Sequence, residues 1–489
     1  MRKNLILILI ILAPIALIAQ TKKFTLDDCR NVALQHNKKI QIADENLLMM
    51  NSIHKSAKTQ YYPRFGFTGS YIRMNREINL LSENAFLPVV PYEAITNGQI
   101  NQITLGTNPT LLDETFVLGD NGLPLTDANG DPVFENYAYL PADQVSLQLN
   151  NIFLLNFGLT QPVYMGGKIK ELNKLAQLGE ELFDAKKSLT ETEVIIETDE
   201  RYWKVVSLKE KVKLTNIYLE MLERLLVDLQ NIYDEGIITN NDLLRAKVKY
   251  NEVGLKYLKA NNGLRLAQMA LNQTLGFTLD SEIELSDSII VNLNFMDQEP
   301  LTEMALENRP EINMVGNLVA MAESGEKIIK SRYLPNIGLT ANYLFVNPNP
   351  SNGFENEFGG DWNLGVVFNV PIYHWGDRRH SLDATKHKTK AFKIKYEETK
   401  ELISLEVQKS RFKYSESLKK VEMTRISLQQ AEENLKMTKD SFDEGISKTR
   451  DLLEAQTMWQ TAYSEFIEAK TENKLCESEI LRVSGQLRK

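Results

Sequence analysis

Two stretches of this chain carry apolar residues every three or four positions for an unusual distance. Leu175, Leu178, Leu182, Ala185 and Leu189 step in this way, as do Leu222, Leu225, Leu229 and Ile232, and Leu428, Ala431 and Leu435. That period lines up one face of an α-helix. No proline falls between Lys168 and Gly236 or between Tyr373 and Gly445. The pattern predicts helices over about 167–233 and 377–442. At ~1.5 Å per residue each is about 100 Å long. Such a helix outruns any globular domain and needs coiled-coil partners.

Four shorter segments alternate instead. Phe65, Phe67, Gly69 and Tyr71 share one face, with Gly66, Thr68 and Ser70 on the other. Ile337, Leu339, Ala341 and Tyr343 oppose Asn336, Gly338, Thr340 and Asn342. The remaining pair runs through Phe153, Leu155, Phe157 and Leu159, and through Trp362, Leu364, Val366 and Phe368. A period of two predicts strands. Aromatics near strand ends, with small polar residues opposite, suit a membrane barrel with a wet interior. Four half-buried strands of a soluble sheet would also alternate.

The elements occur twice in the same order. "DEGIITNNDLLRA" (234–246) returns as "DEGISKTRDLLEA" (443–455), and "QPVYMGGK" (161–168) as "VPIYHWGD" (370–377), both at offset 209. "YYPRFGFTGSY" (61–71) matches "YLPNIGLTANY" (333–343), and "ALQHNKKI" (33–40) matches "ALENRPEI" (305–312), both at offset 272. The first copy therefore carries 63 extra residues, 272 less 209, within 77–150. Each copy predicts a helix (about 25–60 and 300–331), two strands, a long helix, a tight hairpin and a returning helix (about 241–275 and 450–485). Repeat 1 spans 20–285 and repeat 2 spans 286–489. Residues 276–299 join the copies and have room for a small strand.

The repeated thirteen residues read as helix stops. Gly236 and Gly445 can take the left-handed conformation that caps the last carbonyls. Thr239 stands where an N-cap belongs, with Asp242 three residues on. In the second copy Lys448 takes that position, so Ser447 or Thr449 is expected to cap. Leu243–Leu244 and Leu452–Leu453 begin the returning helices.

Composition narrows the setting. The first residues have a basic start, an apolar run from Leu5 to Ile18 containing Pro14, and Ala19 as a cleavage residue. This is a secretory leader over residues 1–19. The chain is 43% hydrophobic with a formal charge of −9; losing Arg2 and Lys3 with the leader makes it −11. That balance argues against a nucleic-acid partner. Cys29 and Cys476 are too few for a disulfide scaffold and read as small buried apolar side chains.

Signs of enzyme chemistry and of a cofactor are missing. "MGGK" has Pro162 where a phosphate-binding loop needs glycine. His36, His54, His374, His380 and His387 are scattered. Asp127, Asn129 and Asp131 have part of a calcium-loop spacing, but the set is incomplete and a solvated loop is expected.

The leader, the duplicated order of parts, "YLP" before one strand, "P-[IV]-Y-x-x-G" after another and "G-x5-D-[LV]-L-x-A" at both tips together resemble the TolC-like outer-membrane efflux protein family over nearly all of 24–487. The resemblance implies a mainly α fold with a β-barrel portion. Long antiparallel coiled-coil hairpins and four membrane strands per chain would join as a homotrimer, with one 12-stranded barrel and one α-helical tunnel. Phe65, Phe67, Tyr71, Phe153, Phe157, Ile337, Leu339, Tyr343, Trp362, Leu364 and Phe368 would face outer-membrane lipid. A periplasmic membrane-fusion adaptor would meet the tips at Gly236, Thr239, Asp242, Leu243, Leu244, Gly445, Ser447, Asp451, Leu452 and Leu453. An RND-type or ABC-type inner-membrane transporter would supply energy. The 77–150 insert would lie outside the cell. Asp451 and Glu454 would ring a periplasmic gate. Phe442 and Ser447 stand where the family has latch residues, leaving Asp242 without its expected arginine; Lys448 and Arg450 are the nearby substitutes. A secreted structural fibre or adhesin explains the helices and the leader but not the paired strands.

Overall fold

The structure, a computed structural model, describes residues 23–75, 77–286, 289–290 and 300–487. The leader lies outside the described residues. In chain order, β1 (Lys23–Phe24) precedes α1 (Leu26–His36), α2 (Lys38–Lys58) and β2 (Arg64–Arg73). The insert holds β3 (Glu77–Asn79), β4 (Ala85–Val89), β5 (Ile95–Thr96), β6 (Gln99–Ile100), α3 (Gln102–Thr107), α4 (Pro109–Thr115), β7 (Asn136–Leu140) and β8 (Ser146–Gln148). Then come β9 (Asn151–Met165), α5 (Lys168–Asp234) and α6 (Asn240–Leu275). The joining segment contributes β10 (Glu284–Leu285), which pairs in parallel with β1. The second copy is α7 (Leu301–Asn308), α8 (Pro310–Ser331), β11 (Asn336–Asn347), β12 (Gly359–Asn369), α9 (Asp377–Asp443) and α10 (Thr449–Val483). The compact units cut across the repeats: one gathers the helices, the other Tyr61–Met165 and Pro335–Val370.

In the helical unit α5 and α9 each run 67 residues, as their periodicity requires. The leading helix of each copy, expected to be continuous, is broken. The break falls at Asn37 and at Arg309, which are 272 positions apart and therefore equivalent. Arg309 precedes Pro310, whose ring excludes the α conformation from the residue before it; its ψ is 129°. Asn37 reaches the same extended backbone by another route, its side-chain oxygen accepting from the Lys39 amide at 2.8 Å.

Packing follows the order α6–α5–α10–α9, with α2 and α8 laid on α5 and α8 also on α9. One core cluster gathers Cys29, Ala33, Tyr202, Trp203, Leu214, Leu271 and Ile467. A second gathers Leu301, Ala305, Ile403, Val407, Cys476 and Ile480. The two cysteines are thus buried in different clusters, as small apolar side chains are, and no disulfide joins them. A third cluster, with Leu222, Leu229, Leu243 and Leu452, fills the hairpin ends.

The strand unit is a four-stranded antiparallel sheet in the order β12-β11-β9-β2. Its central pair, β11 and β9, comes from different repeats. Residues 127–131 are exposed, as expected of a solvated loop, but the insert around them is folded. It has a core of its own, with Ala94, Leu105, Leu111 and Phe116 buried. The Asp127 carboxylate accepts from the Asn129 and Asp131 amides at 2.9 and 3.0 Å. Both bonds go to Oδ1, which shapes a turn.

Candidate assembly edges and hairpin tips

The sheet register places the predicted apolar residues together. Phe67 lies opposite Phe157 and Tyr71 opposite Phe153, each pair with ring centroids 4.8 Å apart. Tyr343 lies between Phe157 and Trp362, Leu339 faces Val366, Ile337 faces Phe368, and Ala341 faces Leu364. Phe65 pairs with Leu159. On the other face Thr68 meets Asn156, and Asn342 Nδ2 donates to Asn363 Oδ1 at 3.0 Å. One face is therefore apolar across all four strands, while the other mixes small polar residues with Leu154, Leu344 and Val367.

The sheet is unfinished. β2 and β12 have a strand on one side only, and every residue of β2 is exposed. Successive pairs are all antiparallel, so β2 and β12 run in opposite directions. The β12 edge of one sheet can thus pair with the β2 edge of another in the same antiparallel pattern.

The helical layer is unfinished in the same way. α6 and α9 end its packing order, and each exposes an apolar stripe: Leu244, Val248, Leu255, Leu258 and Leu266 on α6, and Leu402, Leu405, Phe412, Met423, Ile426 and Met437 on α9. The repeat supplies an internal control. Phe412 is 74% exposed, while its equivalent on α5, Trp203, is 6% exposed. Met423 and Leu214 give 68% and 2%. On the partner helices, Leu258 of α6 is 54% exposed and Ile467 of α10 is 1% exposed. Positions buried where α5 meets α10 are bare where α9 and α6 meet nothing.

At the tips both glycines are left-handed, each at φ 75°. The Gly236 amide donates to Tyr233 O at 2.8 Å and the Ile237 amide to Ile232 O at 3.1 Å; Gly445 and Ile446 donate to Phe442 O and Ser441 O, both at 2.9 Å. These are paired six-to-one and five-to-two bonds that close a helix. Thr239 occupies the N-cap of α6, but its hydroxyl donates to Asp242 Oδ2 at 2.7 Å. In the second tip neither Ser447 nor Thr449 caps. Lys448 is the N-cap residue, and its amide donates to Asp451 Oδ2 at 3.4 Å. This is the returning half of a capping box: the carboxylate three residues on accepts from the cap residue's own amide.

Leu243 and Leu452 are buried in the hairpin core, and Leu453 packs against the same cluster, so these side chains hold the tip together rather than face outward. The exposed apolar residues are Leu244, Ile237 and Ile446. The two isoleucines follow the stop glycines at equivalent positions, a signal present in both quoted tips. Glu454 is exposed and Asp451 half-exposed; Arg450 Nε lies 3.5 Å from Asp451. Phe442 packs into the tip cluster.

Ion pairs between distant residues were not readable from spacing. Arg30 bonds both oxygens of the fully buried Asp199 on α5, at 2.7 and 2.5 Å. Arg309, at the break before α8, pairs with Glu311 and Glu406, and Arg482 on α10 also reaches Glu406, at 2.5 Å. Burial raises the Glu406 pKa, but hydrogen bonds from Arg309 and Arg482 outweigh it and hold the carboxyl below its usual range. On α2, His54 lies 2.6 Å from Glu180 of α5. Among the described residues no helix is long and apolar enough to cross a membrane.

Comparison with known proteins agrees with this architecture. Residues 301–486 match the family model for outer membrane efflux protein. The alkaline protease secretion protein AprF of Pseudomonas aeruginosa is 21% identical over 252 residues, 49% of this chain. The match spans about half the length of that relative. Among solved structures, the Campylobacter jejuni CmeC outer membrane channel superposes with a TM-score of 0.70 at 16% identity, covering 94% of this chain and 86% of that one. CusC gives 0.69 at 13% identity, covering 94% and 92%. VceC of Vibrio cholerae gives 0.68 at 14%, covering 94% and 96%. The repeated helix–strand–strand–hairpin order agrees with these matches: the chain has the fold of these outer membrane channels, and its second repeat matches the outer membrane efflux protein family.

Proposed function

We propose that this chain is the outer-membrane exit duct of a tripartite efflux or type I secretion system. The observation that carries the reading is the matched pair of open edges, β2 with β12 and α6 with α9. Unpaired strand edges in hydrocarbon cost several kcal/mol per stranded polar group, so the sheet must close. Two copies give eight strands, a barrel filled by its own side chains; three give twelve, which leaves a lumen. Export requires the lumen, so three copies join. Their sheets form one barrel in the outer membrane, and their helices form a tunnel in the periplasm.

The family is one of channels, and the duct itself is passive. Energy comes from an inner-membrane transporter of RND or ABC type, coupled through a periplasmic adaptor. The bare Ile237, Leu244 and Ile446 at the tips are suited to receive that adaptor. AprF is named for protease secretion, which keeps a protein among the possible cargoes beside small toxic molecules.

Asp451 and Glu454 lie three apart near the start of α10, so they share a face, and three copies would bring six carboxylates around the axis. Like charges that close attract cations. In a planar bilayer, Asp451→Asn with Glu454→Gln is expected to weaken block of the conductance by divalent cations at least several-fold. Unchanged block removes both residues from the gate. The duct reading itself is tested by native mass in detergent and by bilayer conductance. A trimer that conducts is expected; a detergent-independent single-copy particle contradicts it.

A further inference from the structure

Among the described residues, the insert presents apolar side chains that nothing in its own chain covers. The β2–β9 ladder does not stop at Arg73 and Asn151: the Met74 amide donates to Asn150 O at 3.0 Å. Pairing then continues through β3–β8 and β4–β7, with the Leu80 amide bonded to Val145 O between them. These short ladders are separate two-stranded sheets that follow one another along the chain from the end of the β2–β9 pair. The second of them, β4–β7, contains no charged residue. Phe86, Leu87, Val89, Tyr137 and Tyr139 are all exposed there, with the Phe86 and Tyr139 rings 5.2 Å apart. Phe86 and Leu87 are adjacent and so lie on opposite faces. An isolated two-stranded ribbon is at best marginally stable in water, so exposed apolar side chains on both of its faces point to a covering partner.

Charge says what can cover it. Residues 77–150 carry ten carboxylates and no Lys, Arg or His. Contact between copies of the insert is therefore least opposed along the charge-free strands β4 and β7. Position says the same. The insert follows directly on β2, the edge strand that meets the next copy in the duct proposed above. In a twelve-stranded ring with strands ~4.8 Å apart, the three inserts start about 20 Å from one another. β4 begins 12 residues beyond the end of β2 (85 less 73), a stretch that at up to ~3.3 Å per residue is long enough to bridge that gap. Tethering on one ring also puts them at an effective concentration in the millimolar range.

We propose that the three inserts of one duct pack on each other through the β4–β7 ribbons, forming an apolar contact above the outer mouth of the barrel. The proposal rests on the three-copy reading. It is tested on the full-length protein in detergent with Phe86→Cys and Leu87→Cys, one for each ribbon face, and with Asn129→Cys in the exposed turn as control. Native Cys29 and Cys476 are buried. Treatment with a short bismaleimide should give covalent dimers and trimers from at least one ribbon variant and none from Asn129→Cys. A trimer by native mass that yields no adduct from either ribbon variant overturns the inference and leaves the duct standing. A monomer by native mass overturns both. Adducts in cells to another envelope protein, in place of self-adducts, overturn the inference alone.

Discussion

α5 and α9 are the same element twice: 67 residues each, both closed by a left-handed glycine. Their surroundings differ. α5 lies inside the layer, against α6, α10, α2, α8 and α1. α9 lies at its end and keeps a row of large apolar side chains bare. The sequence of α9 thus encodes a neighbour that its own chain does not provide. A burial difference at equivalent positions is stronger ground than exposure alone, because single exposed apolar residues are ordinary on any surface.

The comparison can be broken most forcefully at Trp203 and Phe412. Trp203→Ala is expected to cost about 3–5 kcal/mol of fold stability, read as a lowered helical melting temperature. Phe412→Ala should cost the dissociated chain less than about 0.5 kcal/mol but shift native mass from trimer toward monomer. Equal effects of the two changes on the melt would remove the distinction between inner and edge helix.

A smaller effect sharpens it from the electrostatic side. Glu406 of α9 is equivalent to Glu197 of α5; Glu197 pairs with Lys39 and Arg201, whereas Glu406 bridges Arg309 and Arg482. Because its folded pKa is depressed, its contribution is present above the ordinary glutamate range and is lost as pH falls through the lower folded value. Glu406→Gln should cost about 1–3 kcal/mol near neutrality. The variant should also flatten the loss of stability seen in the parent on acidification below about pH 4. A parallel loss in parent and variant would assign the acid sensitivity elsewhere.

The smallest expected effect is at the stops. Gly236→Ala and Gly445→Ala place a side chain in a left-handed backbone, at about 1–2 kcal/mol each. Nothing crowds the added methyl group in either tip, so the two costs should match within about 0.5 kcal/mol. A large difference would show that a neighbouring copy supports one tip and not the other.

Local chemistry was legible before the structure. Strand faces follow from Phe65-x-Phe67 and its three counterparts, the helix lengths from unbroken periodicity, and the tips from Gly236 and Gly445. Pro310 marked the break in the leading helix, but the aligned Asn37 has no such ring, and a continuous helix was expected at both. Lys448 carries no cap signal in its residue type; the helix start there is marked by Asp451, whose carboxylate accepts from the Lys448 amide. The folding of the insert and the Arg309–Glu406–Arg482 network depend on residues far apart in the chain, which period and spacing do not report. Leu243 and Leu452 looked like surface at a turn; only the packing of α5, α6 and α10 shows that they are core.

The repeat also fixes where copies should touch. Tyr218 of α5 bonds Thr457 of α10, hydroxyl to hydroxyl, at 3.2 Å. At offset 209 the equivalent pair is Ser427 of α9 and Val248 of α6, both exposed. The most direct test joins Ser427→Cys with Val248→Cys in one chain and treats the assembled protein with a short thiol cross-linker. If α9 of one copy lies against α6 of the next, denaturing gels show a covalent ladder ending at the trimer. If only monomer or intrachain product forms while native mass shows a trimer, the copies do not meet along these helices, and the account of the edges is wrong.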